Sequence, residues 1–228
     1  MHKAKIFYFT VFTLVVFAFI FHATAMGHHH WKKATAKIPV SGRFIETTIG
    51  LFTRCIPSET NQTETCFPNK YPMSDNCYNW TACLPRNPNE ACQCDFLPST
   101  KGIAACTIIA AVFLGLSIII LFIHSINTSE TYSIGVCLSF FPLILLLLAF
   151  IFILIALILV GSYLSRDIMQ TFRTPNNVNN LDDLRNLAAN AYEIRIDWST
   201  GLEIIALILT FFSLILYALF VFKIGRSS

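Results

Sequence analysis

The chain has 228 residues, 55% of them hydrophobic and 13% charged, with a mean hydropathy of +0.61 and a formal net charge of +3. Soluble domains carry about a quarter charged residues, so this composition excludes an ordinary water-soluble globule and places the chain in a bilayer. The weak positive charge forms no basic patch interleaved with aromatics, so nucleic acid is not an expected partner.

The apolar residues fall into four runs, Ile6 to Phe21, Ile103 to Ile123, Ile134 to Val160 and Leu202 to Phe222. A helix rises 1.5 Å per residue, so roughly 20 residues cross a hydrocarbon core of roughly 30 Å. Lipid offers no partner to an unpaired backbone group, so each run is predicted to be helical. The first run follows the basic start Met1-His2-Lys3-Ala4-Lys5 and precedes Ala23-Thr24-Ala25. That arrangement fits either a cleaved signal segment or a first span. The third run exceeds the length needed and holds Pro142 in its first half. It reads as a helix that tilts or projects past the membrane toward Tyr163 and Leu164.

Between the first two runs lies a long loop holding six of the eight cysteines: Cys55, Cys66, Cys77, Cys83, Cys92 and Cys94. With Asn-x-Thr sequons at Asn61 and Asn79, an even set in one loop reads as a disulfide framework on the secretory side. Six cysteines allow 15 pairings, among which sequence does not choose. Cys92-x-Cys94 would offer zinc two thiolates, the weaker reading in an oxidising compartment. Trp31 to Lys37 and Ile45 to Arg54 hold Thr, Ile and Phe in loose alternation and are predicted strands. Phe67 to Pro98, rich in Pro, Asn and Cys, is predicted to be irregular and held by bridges rather than by a core.

The loop from His124 to Ser133 has no Lys or Arg and adds nothing to the orientation; the sequon at Asn127 falls in this predicted cytoplasmic loop. Lys3 and Lys5 before the first span, with Lys223 and Arg226 after the last, read as cytoplasmic flanks. The outer loops carry eight basic against six acidic residues and four against five, so the cysteines decide the orientation. In the second outer loop, Asn180 is a predicted cap for a helix from Leu181 to Ala191, and Tyr192 to Asp197 alternates as a short strand leading through Trp198 into the last span. The resulting order is 1–25 cytoplasmic start and first span, 26–102 disulfide-rich outer loop, 103–124 second span, 125–133 cytoplasmic loop. It continues with 134–162 third span, 163–201 outer loop, 202–222 fourth span and 223–228 cytoplasmic tail.

Chemistry is sparse. There is no Gly-rich phosphate loop, no His-Glu-x-x-His and no nucleophile elbow, so neither an enzyme nor a cofactor is expected. His28-His29-His30 reads as a solvated loop rather than a metal site. Glu203 is the acidic residue inside a predicted span; one residue past Gly201-Leu202, it is expected at the headgroup level beside the helix N-terminus. Ala111 and Gly115 form a small-xxx-small pair, and Cys106 and Cys137 read as packing residues.

Trp31, then Gly50-Leu51-Phe52, then Cys55 and Cys66 resemble the first-loop signature of the claudin superfamily, which includes the PMP22-EMP-MP20 and channel-gamma-subunit branches. Leu97-Pro98 before the second span, Ser162-Tyr163 to Pro175 after the third, and Tyr192-Glu193 followed by Trp198 are similar to further positions of that pattern. Phe52 stands where the usual residue is Trp, and the stretch after Cys66 is longer, with four extra cysteines. The resemblance implies four retained spans in a left-handed helical bundle. It also implies a small extracellular antiparallel sheet of about five strands, four from the first loop and one near Tyr192 to Asp197. A Cys55–Cys66 bridge is implied, with Trp31 and Gly50-Leu51-Phe52 anchoring the sheet.

The function implied first is a plasma-membrane protein of cell–cell junctions. Its outer loops would meet itself or related four-span proteins in the same or an adjacent membrane, with Arg54, Glu59 and Glu64 as candidate charges facing the gap. The alternative is an auxiliary subunit of an ion channel or receptor, favoured by the longer first loop with its sequons. The tail, ending Arg226-Ser227-Ser228, lacks the apolar C-terminus that PDZ scaffolds capture.

Overall fold

The computed structural model describes residues 2–36, 46–57, 64–72, 83, 93–127, 136–171 and 192–225. Four helices dominate: α1 (His2–Gly27), α2 (Pro98–Asn127), α3 (Val136–Thr171) and α4 (Trp198–Gly225). Each contains a stretch long and apolar enough to cross a membrane, at Ile6–Gly27, Pro98–Ile126, Phe140–Tyr163 and Trp198–Phe222. α2 starts on Pro98, whose fixed φ suits a first helical position. α3 runs 36 residues with Pro142 inside its second turn, about 54 Å at 1.5 Å per residue. The spare length carries it through Tyr163 and Leu164 to Thr171.

The chain divides into two compact units, one of Met1–Thr24, Ala105–Leu157 and Leu202–Ser228, the other of Ala25–Ala104 and Ile158–Gly201. Among the described residues, the first unit is built by the four helices. Its core joins Tyr8, Val11 and Val15 of α1, Ala110, Leu114 and Leu121 of α2, Leu146, Ala149 and Ile153 of α3, and Tyr217 and Val221 of α4. α1 therefore contributes to the same core as the other helices. Between apolar helices in lipid the hydrophobic effect is absent, and packing and hydrogen bonds must supply the cohesion. Phe7 stacks on Phe220 at 4.6 Å, and Tyr8 meets Phe220 edge-on at 4.8 Å. A Cβ added at Gly115 would lie 3.9 Å from the Phe19 ring, an ordinary contact, so close backbone approach does not demand glycine there.

The second unit holds the strands β1 (Lys32–Ala36), β2 (Glu46–Ile49), β3 (Thr53–Pro57), β4 (Glu64–Pro68), β5 (Tyr71–Pro72), β6 (Cys94–Asp95) and β7 (Tyr192–Ile196). Five of them form an antiparallel sheet in the order β4-β3-β2-β1-β7. Four of those strands come from the long first loop and one from the second. β1 sits between its sequence neighbour and β7, pairing Lys33 with Thr48 on one side and with Arg195 on the other.

Two sequence-based expectations are corrected here. Ile45 to Arg54 is not one strand, because Gly50-Leu51-Phe52 turns the chain and separates β2 from β3. The Phe67 to Pro98 stretch is not wholly irregular, since Tyr71 pairs with Asp95 and Pro72 with Cys94 in a two-stranded ladder. The helix expected at Leu181 to Ala191 with its Asn180 cap lies outside the described residues, as do Thr128, Pro175 and the Arg226 to Ser228 tail.

Candidate functional site

Trp31 joins several hydrogen bonds of the second unit. Its side chain is 1% exposed, and the indole Nε1–H donates 2.7 Å to the Ala25 carbonyl in the last turn of α1. That carbonyl is one of the four a helix end leaves without an intrahelical partner. The Trp31 carbonyl in turn accepts from Asp197 N–H at 3.2 Å and from the Thr200 hydroxyl at 2.8 Å. The His30 carbonyl accepts from Ser199 N–H at 3.1 Å. One short segment thus ties the end of α1 to the start of α4, and an apolar indole with one donor suits that duty.

The Gly50-Leu51-Phe52 turn packs against the same segment. A Cβ on residue 50 would lie 2.5 Å from His29 Cα and 2.9 Å from the His28 carbonyl oxygen, so only glycine fits. Gly50 N–H donates to Thr53 O at 2.8 Å. Asn69, buried, holds the turn from both sides: its side-chain amide donates to Gly50 O at 2.9 Å and its backbone N–H to Phe52 O at 2.9 Å. Leu51 points inward, while Phe52 is 42% exposed.

Beyond the turn, Cys55 of β3 lies opposite Cys66 of β4, and the two are disulfide-bonded. A second bridge joins Cys83 to Cys94 of β6. Cys94 therefore offers no thiolate to zinc; Cys77 and Cys92 lie outside the described residues. His29, Glu64 and the Cys55 and Cys66 sulfurs come within 4.8 Å of one another, but the sulfurs are bonded to each other, which leaves only one imidazole and one carboxylate.

The three charged candidates separate. Glu59 lies outside the described residues, as do Asn61 and Asn79. Glu64 is exposed, with its carboxylate 3.2 Å from His29 Nε2. Arg54 does not face a gap: it is 0% exposed, and its guanidinium carbon sits 4.9 Å over the Tyr71 ring. Its position in register opposite Ile49 turns it inward under β5, where cation–π attraction offsets part of the lost hydration. Burial pulls the Arg54 proton affinity down from its ordinary value, and Tyr71 opposes that shift. The histidine run is not a freely solvated loop either. His30 Nδ1 lies 2.8 Å from Asp197 Oδ2, and Trp198 has the rings of His28 and His30 beside it at 4.8 and 5.4 Å.

In the helical unit the structure joins two residues that sequence reading kept apart. Glu203 is buried within the protein at 0% exposed, as is His22. His22 Nδ1 lies 2.8 and 2.9 Å from the two Glu203 oxygens, and His22 Nε2 lies 2.8 Å from the Thr107 carbonyl. His22 sits beside the Ala23-Thr24-Ala25 stretch that resembles a cleavage site, and 181 residues separate it from its partner. No local motif marks such a pair. Asn69 was equally invisible, being one polar residue in a loop rich in them.

With four spanning helices, a sheet of four first-loop strands plus one, and the Trp31–Gly50–Cys55–Cys66 arrangement in place, the comparison with known families is decisive. The chain matches the PMP-22/EMP/MP20/Claudin tight junction family over residues 16–219. It belongs to that family. No individual curated protein matches it. The family span begins inside α1 and ends inside α4, so every helix and every strand described above lies within it or overlaps it. The chain is a multi-pass, claudin-like membrane protein.

Proposed function

We propose that this claudin-like protein acts at contacts between cells. It would sit in the plasma membrane with its N- and C-terminal flanks in the cytoplasm and present the five-stranded sheet outside. The observation that carries this reading is the sheet itself. A bridge pins β3 to β4, while Trp31 and Gly50 hold the ends of α1 and α4 to the turn between β2 and β3. A platform built that way keeps its shape while its outer surface meets another protein, and preorganisation of this kind lowers the entropy lost on binding. The partners proposed are a second copy or a related four-span protein, in the same or an adjacent membrane. The role is structural, with no catalytic step and no cofactor.

An auxiliary role beside an ion channel or receptor is the second reading. The added β5–β6 ladder with its Cys83–Cys94 bridge favours it, because it enlarges the outer surface beyond the five-stranded sheet. Burial of Arg54 favours it too, by removing one of the three charges offered for a charge-selective gap.

A tagged chain expressed in adhesion-poor cells, plated as a mosaic with unexpressing cells, separates the two. Enrichment at borders between two expressing cells supports contact in trans. Uniform surface signal rejects it and directs the search to a partner in the same membrane.

A further inference from the structure

The His22–Glu203 pair has a definite proton count. A backbone carbonyl can only accept, so His22 Nε2, 2.8 Å from Thr107 O, must carry a hydrogen. The bond between His22 Nδ1 and the Glu203 carboxyl then holds a single proton. With the proton on nitrogen the pair is imidazolium and carboxylate; with it on oxygen the pair is imidazole and carboxylic acid. The net charge is zero either way, and both histidine nitrogens are satisfied. Neither group is exposed, and α1, α2 and α4 each supply one member of the set.

We propose that His22, Glu203 and the Thr107 carbonyl form a one-proton latch inside the membrane that holds α1, α2 and α4 together. A carboxylate alone in hydrocarbon is costly, and so is a buried imidazole with an empty nitrogen. Each group is therefore tolerated because the other is there. Apolar packing elsewhere along these helices is not directional, since lipid solvates an apolar side chain as well as protein does. The latch fixes one rotational and one vertical register: His22 meets Glu203 only when the end of α1, the tenth residue of α2 and the sixth of α4 lie side by side.

The latch orders four variants of the full-length chain. His22→Leu leaves the Glu203 carboxyl buried without a partner and is expected to shift the folded-to-unfolded ratio against folding, on the order of a hundredfold. Glu203→Leu strands only one imidazole nitrogen and should do less harm. Glu203→Gln keeps both bonds, its amide donating to a neutral Nδ1, and should fold as the unaltered chain does. His22→Leu with Glu203→Leu removes both polar groups and should recover to within about tenfold of the unaltered chain.

The measurement is the folded fraction of purified protein in mild detergent, titrated with a denaturing detergent. Nitrogen-15 NMR of the labelled histidine accompanies it, and a protonated Nε2 is expected in both the unaltered chain and Glu203→Gln. Recovery in the double variant together with tolerance of Glu203→Gln supports the latch. A double variant no better than His22→Leu, a Glu203→Gln as damaging as His22→Leu, an innocuous His22→Leu, or a bare Nε2 would each overturn it.

Discussion

Two histidine–carboxylate pairs of the same chemistry sit in very different places. His22 and Glu203 are 2.8 Å apart with both side chains 0% exposed, whereas His29 and Glu64 are 3.2 Å apart with 24% and 49% exposed. Coulomb attraction at such distances is about 1 kcal/mol in water and several times that where the effective dielectric falls to about 20. The inner pair is shut off from water, whereas water can replace either member of the outer one. The medium, rather than the pairing, sets what each is worth. The helical unit thus carries a buried polar pair between helices, whereas the sheet adds a covalent bridge and a steric constraint to its hydrogen bonds.

The strongest way to break that contrast is to open the bridge. Cys55→Ser or Cys66→Ser should cost the sheet about 2–5 kcal/mol and lose surface expression, read by surface biotinylation. Normal trafficking of both variants would show that the bridge is dispensable and that the sheet has some other support. The steric constraint comes next. Gly50→Ala places a methyl 2.5 Å from the His29 Cα, where backbone rather than a flexible side chain must yield, and about 1–3 kcal/mol is expected. A melting temperature equal to that of the unaltered chain would mean that the turn can move away at no cost.

His29→Ala tests the exposed pair directly. The expected loss is under about 1 kcal/mol, and raised salt should erase most of it. A loss matching that of His22→Leu would collapse the distinction between the two pairs.

The helical half of the fold was legible because its signal is redundant. Three apolar runs state spans by length alone, where a misjudged boundary of a few residues changes nothing, while the first was read as a span only through the resemblance. The sheet was legible only in part. Alternation marked β1 and β7, but it ran β2 and β3 together, because a glycine that turns the chain through close backbone contact leaves no mark on a two-residue period. The strand count came from the resemblance rather than from the residues. β5 and β6, two residues each, are too short to carry any pattern. Charged residues misled most. Arg54 looked like a surface charge because most arginines are, yet Tyr71, seventeen positions on, buries it. Glu203 looked like a lone carboxylate because it was read along one helix, while its partner His22 lay on another. Long-range polar pairing is a property of the folded arrangement, and one sequence has no local signal for it.

The smallest expected effect concerns the start of α2. The Asp95 carboxylate accepts from Lys101 Nζ and from Phe96 N–H at 2.8 Å. Lys101, with the backbone bond next in importance, holds the Asp95 carboxyl below its ordinary pKa in the folded chain. A carboxylate depressed by folding adds stability above its unfolded pKa, about 3.9, and loses that stability as pH falls through the lower folded value. The contribution should therefore be constant at neutral pH and fade only below about pH 4. Both side chains face solvent, about half exposed, so salt screens the pair and the effect is slight. Asp95→Asn should flatten this part of the acid profile of the melting temperature and leave its neutral plateau nearly unchanged. An acid profile that Asp95→Asn does not alter would mean that Lys101 leaves the carboxylate in solution, and the start of α2 would then rest on Pro98 and the Lys101 N–H to Leu97 carbonyl bond at 2.9 Å.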